Sequence, residues 1–373
     1  MTLPTAGLTR NNNGPIEKAP TSPSSLATAP VAAANPNPSH SHSGPSLTPS
    51  LTHDSSPSTT MPPKPKAMRA AVRDARAKAA KAHVNITIPA LLKANPRAKA
   101  GVLAAERISS PPSVSSSSSV PPAIKVLVTD TLTAASLLSA EPSPARIAIL
   151  NMASPLRPGG GLLTGATSQE EFLCARTTLY PSLSETHYRL PDLGGIYTPD
   201  VLVARDASTR AEMLPARDRF YVDVLSAAML RLPDVDESDG ETTYAEDKDR
   251  EAVRNKMRAV MRILRSKGVD RVVLGAWGCG AYGNPVGEVA RAWKTVLCGG
   301  GRAARKAGRA SGGSEGWERL QVVFAIADVR MARVFAETLG VEMDEDDEDD
   351  EEEDDDDEDV ESESETEESD EYP

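Results

Sequence analysis

Cysteine and histidine are scarce in this chain, with three cysteines and five histidines among 373 residues. The cysteines, Cys174, Cys279 and Cys298, form no CxxC pair, and the histidines show no metal-ligand spacing. The sequence therefore predicts neither a disulfide scaffold nor a metal site, and no cofactor is expected.

Long apolar runs are also missing. No run approaches the roughly 20 residues that a membrane-spanning helix needs. The N-terminus lacks the apolar segment of a secretory signal. These absences predict a soluble cytoplasmic or nuclear protein with no membrane partner.

The two ends differ sharply in composition from the middle of the chain. Residues 1–66 are dominated by Pro, Ser, Thr, Ala and Asn, and residues 342–373 hold 24 acidic residues with no Lys or Arg. Neither segment has enough apolar surface to offset the entropy cost of ordering, so both are predicted to be disordered tails. The rest of the chain has 30 acidic against 41 basic residues, about +11, which suits a polyanionic ligand.

Residues 67–341 are predicted to form one domain. Residues 67–109 have mostly helical composition, and short apolar strands then alternate with helical patterns from Ile124 onward. Such alternation predicts an α/β layer fold with a largely parallel or mixed sheet. Residues 233–249, which are acidic, and residues 298–316, which are rich in Gly, Arg and Ser, are predicted to be surface insertions.

A glycine-rich loop follows the apolar run that ends at Asn151. It contains Gly159, Gly160 and Gly161, which allow the backbone to approach a ligand closely and direct N–H groups at it. A loop after a strand of an α/β sheet lies where ligands usually bind, and a pyrophosphate is a suitable ligand. Its spacing matches neither GxGxxG nor a P-loop, and a flexible connector is the alternative interpretation.

Three polar residues, Gln169, Glu170 and Glu171, follow this loop at a predicted helix start. Ser168 and Glu171 also have the spacing of a capping box, which predicts a purely structural role for the glutamate. A catalytic carboxyl is the competing interpretation, and the two roles are compatible.

A second glycine-rich loop follows a later strand and precedes another helix, with Asn284 as the expected N-cap. Tyr282 is predicted either to stack on a ribose or base or to pack inside the protein. Cys279 has no identifiable histidine base, which argues against a nucleophilic role. The predicted ligand-binding residues of this loop are Gly278, Cys279, Gly280, Ala281, Tyr282, Gly283 and Asn284.

Together these segments resemble the microbial-type poly(ADP-ribose) glycohydrolases. The resemblance rests on Asn151-Met152-Ala153, Pro158-Gly159-Gly160-Gly161, seven further residues, Gln169-Glu170-Glu171, and the later Gly278-Cys279-Gly280-Ala281-Tyr282-Gly283-Asn284-Pro285. It extends from about Ala67 to Leu339. Tyr282 stands where the family often has Phe, and Met152 replaces a more usual aromatic residue.

The resemblance implies a macrodomain, which is a three-layer α/β/α fold with a mixed sheet between helical layers. It also implies ADP-ribose in a surface cleft, with its diphosphate between the two loops. It implies that Glu171 is the general acid/base and that Glu170 holds hydroxyls of the ribose being cut. Gln169 would position this motif, and Asn151 would contact the distal ribose region.

The implied reaction is hydrolysis of the ribose–ribose O-glycosidic bond, with poly(ADP-ribose) or ADP-ribosylated proteins as partners and ADP-ribose as product. Direct nucleic-acid binding is not expected. Three alternatives remain open: a macrodomain that binds ADP-ribose without cutting it, a hydrolase of mono-ADP-ribosylated proteins, and a nucleotide-binding scaffold unrelated to ADP-ribose, which the two loops would permit. Glu170 and Glu171 argue against the first, while loop geometry decides the second.

Overall fold

The structure is a computed structural model that describes residues 65–113, 120–238, 240–299 and 315–345. Its helices are α1 (Pro65–Ala82), α2 (Ile88–Ala94), α3 (Pro96–Leu103), α4 (Thr131–Ala140), α5 (Gln169–Arg176), α6 (Asp247–Ser266), α7 (Val286–Cys298) and α8 (Val329–Leu339). Its strands are β1 (Glu106–Ile108), β2 (Ala123–Val128), β3 (Ile147–Met152), β4 (Gly195–Val203), β5 (Phe220–Ala227), β6 (Val235–Ser238), β7 (Glu241–Tyr244), β8 (Arg271–Leu274), β9 (Gln321–Ala325) and β10 (Met343–Glu345). One π turn (His83–Thr87) joins α1 to α2.

Eight of these strands form one mixed sheet, in the order β1-β4-β5-β3-β8-β9-β2-β10. The strands from β5 to β10 in this order are parallel, whereas β4 pairs antiparallel with both β5 and β1. The mixed sheet expected from the sequence is confirmed. Because β3 and β8 are parallel neighbours, the loops that follow them emerge at the same edge of the sheet.

Helices cover both faces of the sheet. In β3, Ala148 and Leu150 pack into a core that includes residues of α6, α7 and α8, while Ile147 and Ile149 pack on the opposite face with residues of α4 and α5. Successive residues of a strand point to opposite faces, so a strand buried on both sides is apolar throughout. This arrangement is the predicted three-layer α/β/α architecture.

Regular structure extends slightly beyond residues 67–341, the predicted bounds of the domain. Helix α1 starts at Pro65, and Met343–Glu345 pair with β2 as a strand. The remainder of both predicted tails, and residues 300–314 of the predicted 298–316 insertion, lie outside the described residues.

The predicted insertion at residues 233–249 is largely a β-hairpin formed by β6 and β7. Its last strand residue, Tyr244, is buried in the core, so this segment is more than a surface appendage. No helix in the described part of the chain is long and apolar enough to cross a membrane.

Candidate active site

A cleft of about 1000 Å³ opens where the loops after β3 and β8 meet. The start of α5 forms its floor and α1 borders one side. Of the predicted site residues, Gly160, Gly161, Gln169, Glu170, Glu171, Gly278, Gly280, Ala281 and Tyr282 line it. The remaining five, Asn151, Gly159, Cys279, Gly283 and Asn284, are not among its lining residues.

The carboxyl group of Glu171 is fixed from two directions in the first turn of α5. The Gly161 amide donates a 2.6 Å hydrogen bond to Oε1, and the Ser168 hydroxyl donates to Oε2. Ser168 makes no side-chain capping bond to the helix backbone, so the expected capping box does not form. Glu171 is instead turned toward the glycine loop, and its side chain faces the cleft with only 6% of its surface exposed.

Glu170 is buried more deeply than its neighbour. Its Oε2 accepts a 2.8 Å hydrogen bond from the Ser154 amide, while its Oε1 finds no donor in the described part of the chain. Burial raises the pKa of the Glu170 carboxyl to about 8, the Ser154 amide opposes the rise, and the charge of Glu171 adds to it. Glu170 is therefore protonated at neutral pH when the cleft holds no ligand.

Asn151 is a buried neighbour of Glu170. Its side chain approaches the Glu170 carboxyl and opposes the rise in the pKa of that group, while its Nδ2 also donates to the Ser226 hydroxyl at 2.9 Å. The Oδ1 atom of Asn151 lacks a donor within the described residues. Asn151 is fully buried, which places it behind Glu170 rather than on the cleft surface expected for a ribose contact.

Replacing Glu170 by glutamine is expected to stabilise the protein at alkaline pH. A carboxyl whose pKa is raised on folding favours the folded state fully below its ordinary pKa of 4.5, and that contribution is lost as the pH rises through about 8. The neutral amide has no such loss. Urea unfolding of both proteins should therefore show a difference in unfolding free energy that grows from about pH 5 to about pH 9, on the order of a few kcal/mol. Parallel pH profiles for the two proteins would contradict the assignment.

Gln169 connects the motif to the sheet. Its Nε2 donates to the Leu150 carbonyl at 3.0 Å, and its Oε1 accepts from the Met152 amide at 2.9 Å. These bonds join the first residue of α5 to the last residues of β3. The predicted positioning role of Gln169 is consistent with this geometry.

The two glycine loops differ in what their backbones offer to a ligand. In the first loop the amides of Gly160 and Gly161 already donate within the protein, to the Arg157 carbonyl and to Glu171. In the second loop the amides of Gly280, Ala281 and Tyr282 donate to no acceptor within the described residues. The second loop therefore carries the free donors that suit an anion, whereas the first mainly provides space.

Asn284 fixes the second loop in place through hydrogen bonds of its side chain. Its Oδ1 accepts a 2.8 Å bond from the Tyr244 hydroxyl at the end of the β6–β7 hairpin, and its Nδ2 donates to the Leu230 and Gly278 carbonyls at 2.8 and 3.1 Å. The expected N-cap role is wrong, because Pro285 occupies the N-cap position of α7. A capping signature is local in sequence, whereas Tyr244 lies 40 residues away.

Cys279 and Tyr282 occupy different environments in the second loop. Burial raises the pKa of the Cys279 thiol to about 12, which agrees with the prediction against a nucleophilic cysteine. Tyr282 lines the cleft, and its hydroxyl lies within hydrogen-bonding reach of Ser154. That contact provides the partner that a hydroxyl requires at this position.

Four arginines line the cleft without having been identified from the sequence. They are Arg73 and Arg76 of α1, Arg157 of the first loop, and Arg231 after β5. Arg73 and Arg76 lie about 90 residues from the loop they contact, so no local pattern marks them. The excess of basic residues in the body of the chain was the one signal that pointed to them.

Comparison with known proteins gives a consistent result. Residues 80–206 match the family model of the microbial-type PARG catalytic domain. The crystal structure of poly(ADP-ribose) glycohydrolase from Thermomonospora curvata is 26% identical, with a TM-score of 0.54 over 71% of this chain and 100% of that chain. The same enzyme bound to the inhibitor ADP-HPD is 25% identical, with a TM-score of 0.53 over 71% of this chain and 99% of that chain.

The comparison with curated proteins found no match. The family match includes the first glycine loop, Glu170 and Glu171, and the structural match to the Thermomonospora curvata enzyme covers 71% of this chain. Residues 80–206 and the fold that contains them are therefore similar to the microbial-type poly(ADP-ribose) glycohydrolases.

Proposed function

We propose that this chain hydrolyses the ribose–ribose O-glycosidic bond of poly(ADP-ribose) and releases ADP-ribose, with Glu171 as general acid/base. The observation that carries the proposal is the position of the Glu171 carboxyl, which faces the cleft and is held by Gly161 and Ser168. The proposal treats the domain as a macrodomain acting in the cytosol or nucleus, on free polymer or on ADP-ribosylated proteins.

Binding places the diphosphate of the terminal ADP-ribose against the free amides of Gly280, Ala281 and Tyr282. The nearby guanidinium of Arg231 adds positive charge on this side of the cleft. The Tyr282 ring offers a surface for stacking on a ribose or base. The ribose to be cut then lies over Gly160, next to both glutamates.

Catalysis begins as the glycosidic bond breaks and Glu171 donates its proton to the departing ribose oxygen. The anomeric carbon gains oxocarbenium character, which the neighbouring diphosphate stabilises. Glu171, now a carboxylate, accepts a proton from a water molecule as its oxygen bonds to the anomeric carbon. The products are ADP-ribose and a polymer shortened by one unit, and Glu171 regains its proton.

Glu170 acts on the substrate rather than on the bond. A Cβ atom added to Gly160 would lie 2.5 Å from Glu171 Oε1 and 2.8 Å from Glu170 Oε2. Both carboxyl groups therefore reach the same side of the ribose position. Ordinary glycosidases need two carboxyl groups that flank the bond. The one-sided arrangement favours a single acid/base, with Glu170 as the partner of the ribose hydroxyls.

The test is incubation of the full-length protein with poly(ADP-ribose), with separation of the products by chromatography. We expect free ADP-ribose to accumulate. Binding of ADP-ribose without its release from polymer would show a binding module instead. Release of ADP-ribose from mono-ADP-ribosylated protein, with polymer untouched, would show the other alternative function.

A further inference from the structure

The contacts across the cleft define an order of residues from one wall to the other. Tyr282 of the second loop lies beside Ser154, whose amide binds Glu170. Glu170 and Glu171 meet above Gly160, and Glu171 binds the Gly161 amide. Glu171 therefore lies between the second loop and the wall of the cleft on the far side of Gly161.

Helix α1 lies beyond Gly161. The Arg73 Nε donates to the Thr164 carbonyl at 2.9 Å, and the Arg76 Nε donates to the Gly165 carbonyl at 3.2 Å. A Cβ on Gly165 would come within 2.2 Å of the Arg73 carbonyl oxygen, so the helix and the loop are in direct backbone contact. Both arginines line the cleft on this side.

The two guanidinium groups are held in place by one hydrogen bond each and keep unused hydrogen-bond donors. Each uses its Nε–H to bind a loop carbonyl, and the terminal amino groups of Arg73 and Arg76 donate to no acceptor in the part of the chain that the structure describes. A guanidinium fixed in this way is suited to bind phosphate oxygens with little further loss of side-chain entropy. Neither arginine has an acidic partner within those residues, so their charge is available to an anionic ligand.

We infer that Arg73 and Arg76 bind the diphosphate of the departing ADP-ribose unit and so select polymer over mono-ADP-ribosylated protein. This inference rests on the proposed function. Cleavage at Glu171 separates the unit held by the second loop from the group on the α1 side. In the polymer that departing group is an adenosine ribose carrying a diphosphate, whereas a modified side chain brings no phosphate there.

The test compares two ligands in the full-length Glu171→Gln protein, which keeps them intact. Kd is measured for ADP-ribose, which has one diphosphate, and for a two-unit oligomer, which has two. We expect the oligomer to bind more tightly at low salt and to lose that advantage at high salt. Replacing both arginines by glutamine should weaken oligomer binding about tenfold and ADP-ribose binding less than about twofold.

Two further variants separate the effect of positive charge from the effect of the hydrogen bonds that hold α1 against the loop. Lysine at both positions keeps the charge but loses the fixed Nε contacts, so it should restore part of the preference for the oligomer. Lys78→Gln removes a positive charge from an exposed position on another face of α1 and should change neither Kd.

Three results would overturn the inference. The first is an equal loss of affinity for both ligands in the glutamine variant. The second is an unchanged affinity for the oligomer in that variant. The third is a lysine variant that binds the oligomer as weakly as the glutamine variant does. In each of these cases ADP-ribose still binds the unsubstituted cleft and the proposed function stands. If ADP-ribose itself does not bind, both proposals fail together.

Discussion

Replacing Glu171 by glutamine is expected to slow ADP-ribose release by about 10²–10⁴-fold, the usual contribution of a positioned general acid/base. Glutamine has the shape of the native side chain, and its amide oxygen can still accept the hydrogen bond from Gly161. It cannot, however, give up a proton to the departing ribose or activate water. The Kd for ADP-ribose should therefore stay within about threefold of the unsubstituted protein's value, while kcat falls by the factor given above. Initial rates on polymer and calorimetric titration with ADP-ribose measure the two quantities.

Glu170→Gln is the matched control, because it makes the same chemical change one residue earlier in the same helix. The Glu170 carboxyl is already protonated at neutral pH, so an amide changes its charge little. Its rate loss should be at least about tenfold smaller than that of Glu171→Gln. Equal losses for the two variants would assign the acid/base role to the pair rather than to Glu171.

The sheet was largely predictable because its buried strands are continuous apolar runs. The segments containing β3, β8 and β9 are bounded by polar or glycine residues, and all three lie in the region after Ile124 where strands and helices were predicted to alternate. The short strands β1, β6 and β10 are mostly exposed or at an edge of their sheets, so their side chains show no apolar pattern. Pairing with strands far along the chain reveals β1 and β10, and the hairpin with β7 reveals β6.

The site was predictable to the extent that its residues are neighbours in sequence. The glycine loops and the adjacent glutamates are compact motifs, and they meet because parallel strands end at one edge of the sheet. The arginines of α1 and the bond from Tyr244 to Asn284 depend on contacts between distant segments. Local rules also gave two competing interpretations of Glu171. The hydrogen bond from the Gly161 amide, which a capping box does not include, joins its carboxyl group to the glycine loop.

Replacing Gly160 by alanine is expected to disable the site without touching either glutamate. Gly160 has a φ of +57°, and a Cβ there would lie 2.5 Å from Glu171 Oε1 and 2.8 Å from Glu170 Oε2. Both carboxyl groups must move to make room. A displacement of about 1 Å at a catalytic group can cost about 100-fold in rate, so a loss of at least this size is expected in kcat/KM on polymer.

Gly268→Ala separates this steric effect from backbone strain. Gly268 has a similar φ of +69°, but a Cβ there meets nothing within 4 Å, and the residue lies after α6, outside the set that lines the cleft. Both variants carry a left-handed alanine, which costs roughly 1–2 kcal/mol. Thermal unfolding should therefore reveal destabilisation in both, while only Gly160→Ala loses activity. If Gly160→Ala retained the native rate, the carboxyl groups could not stand over Gly160 during the reaction, because the added methyl group would occupy their place.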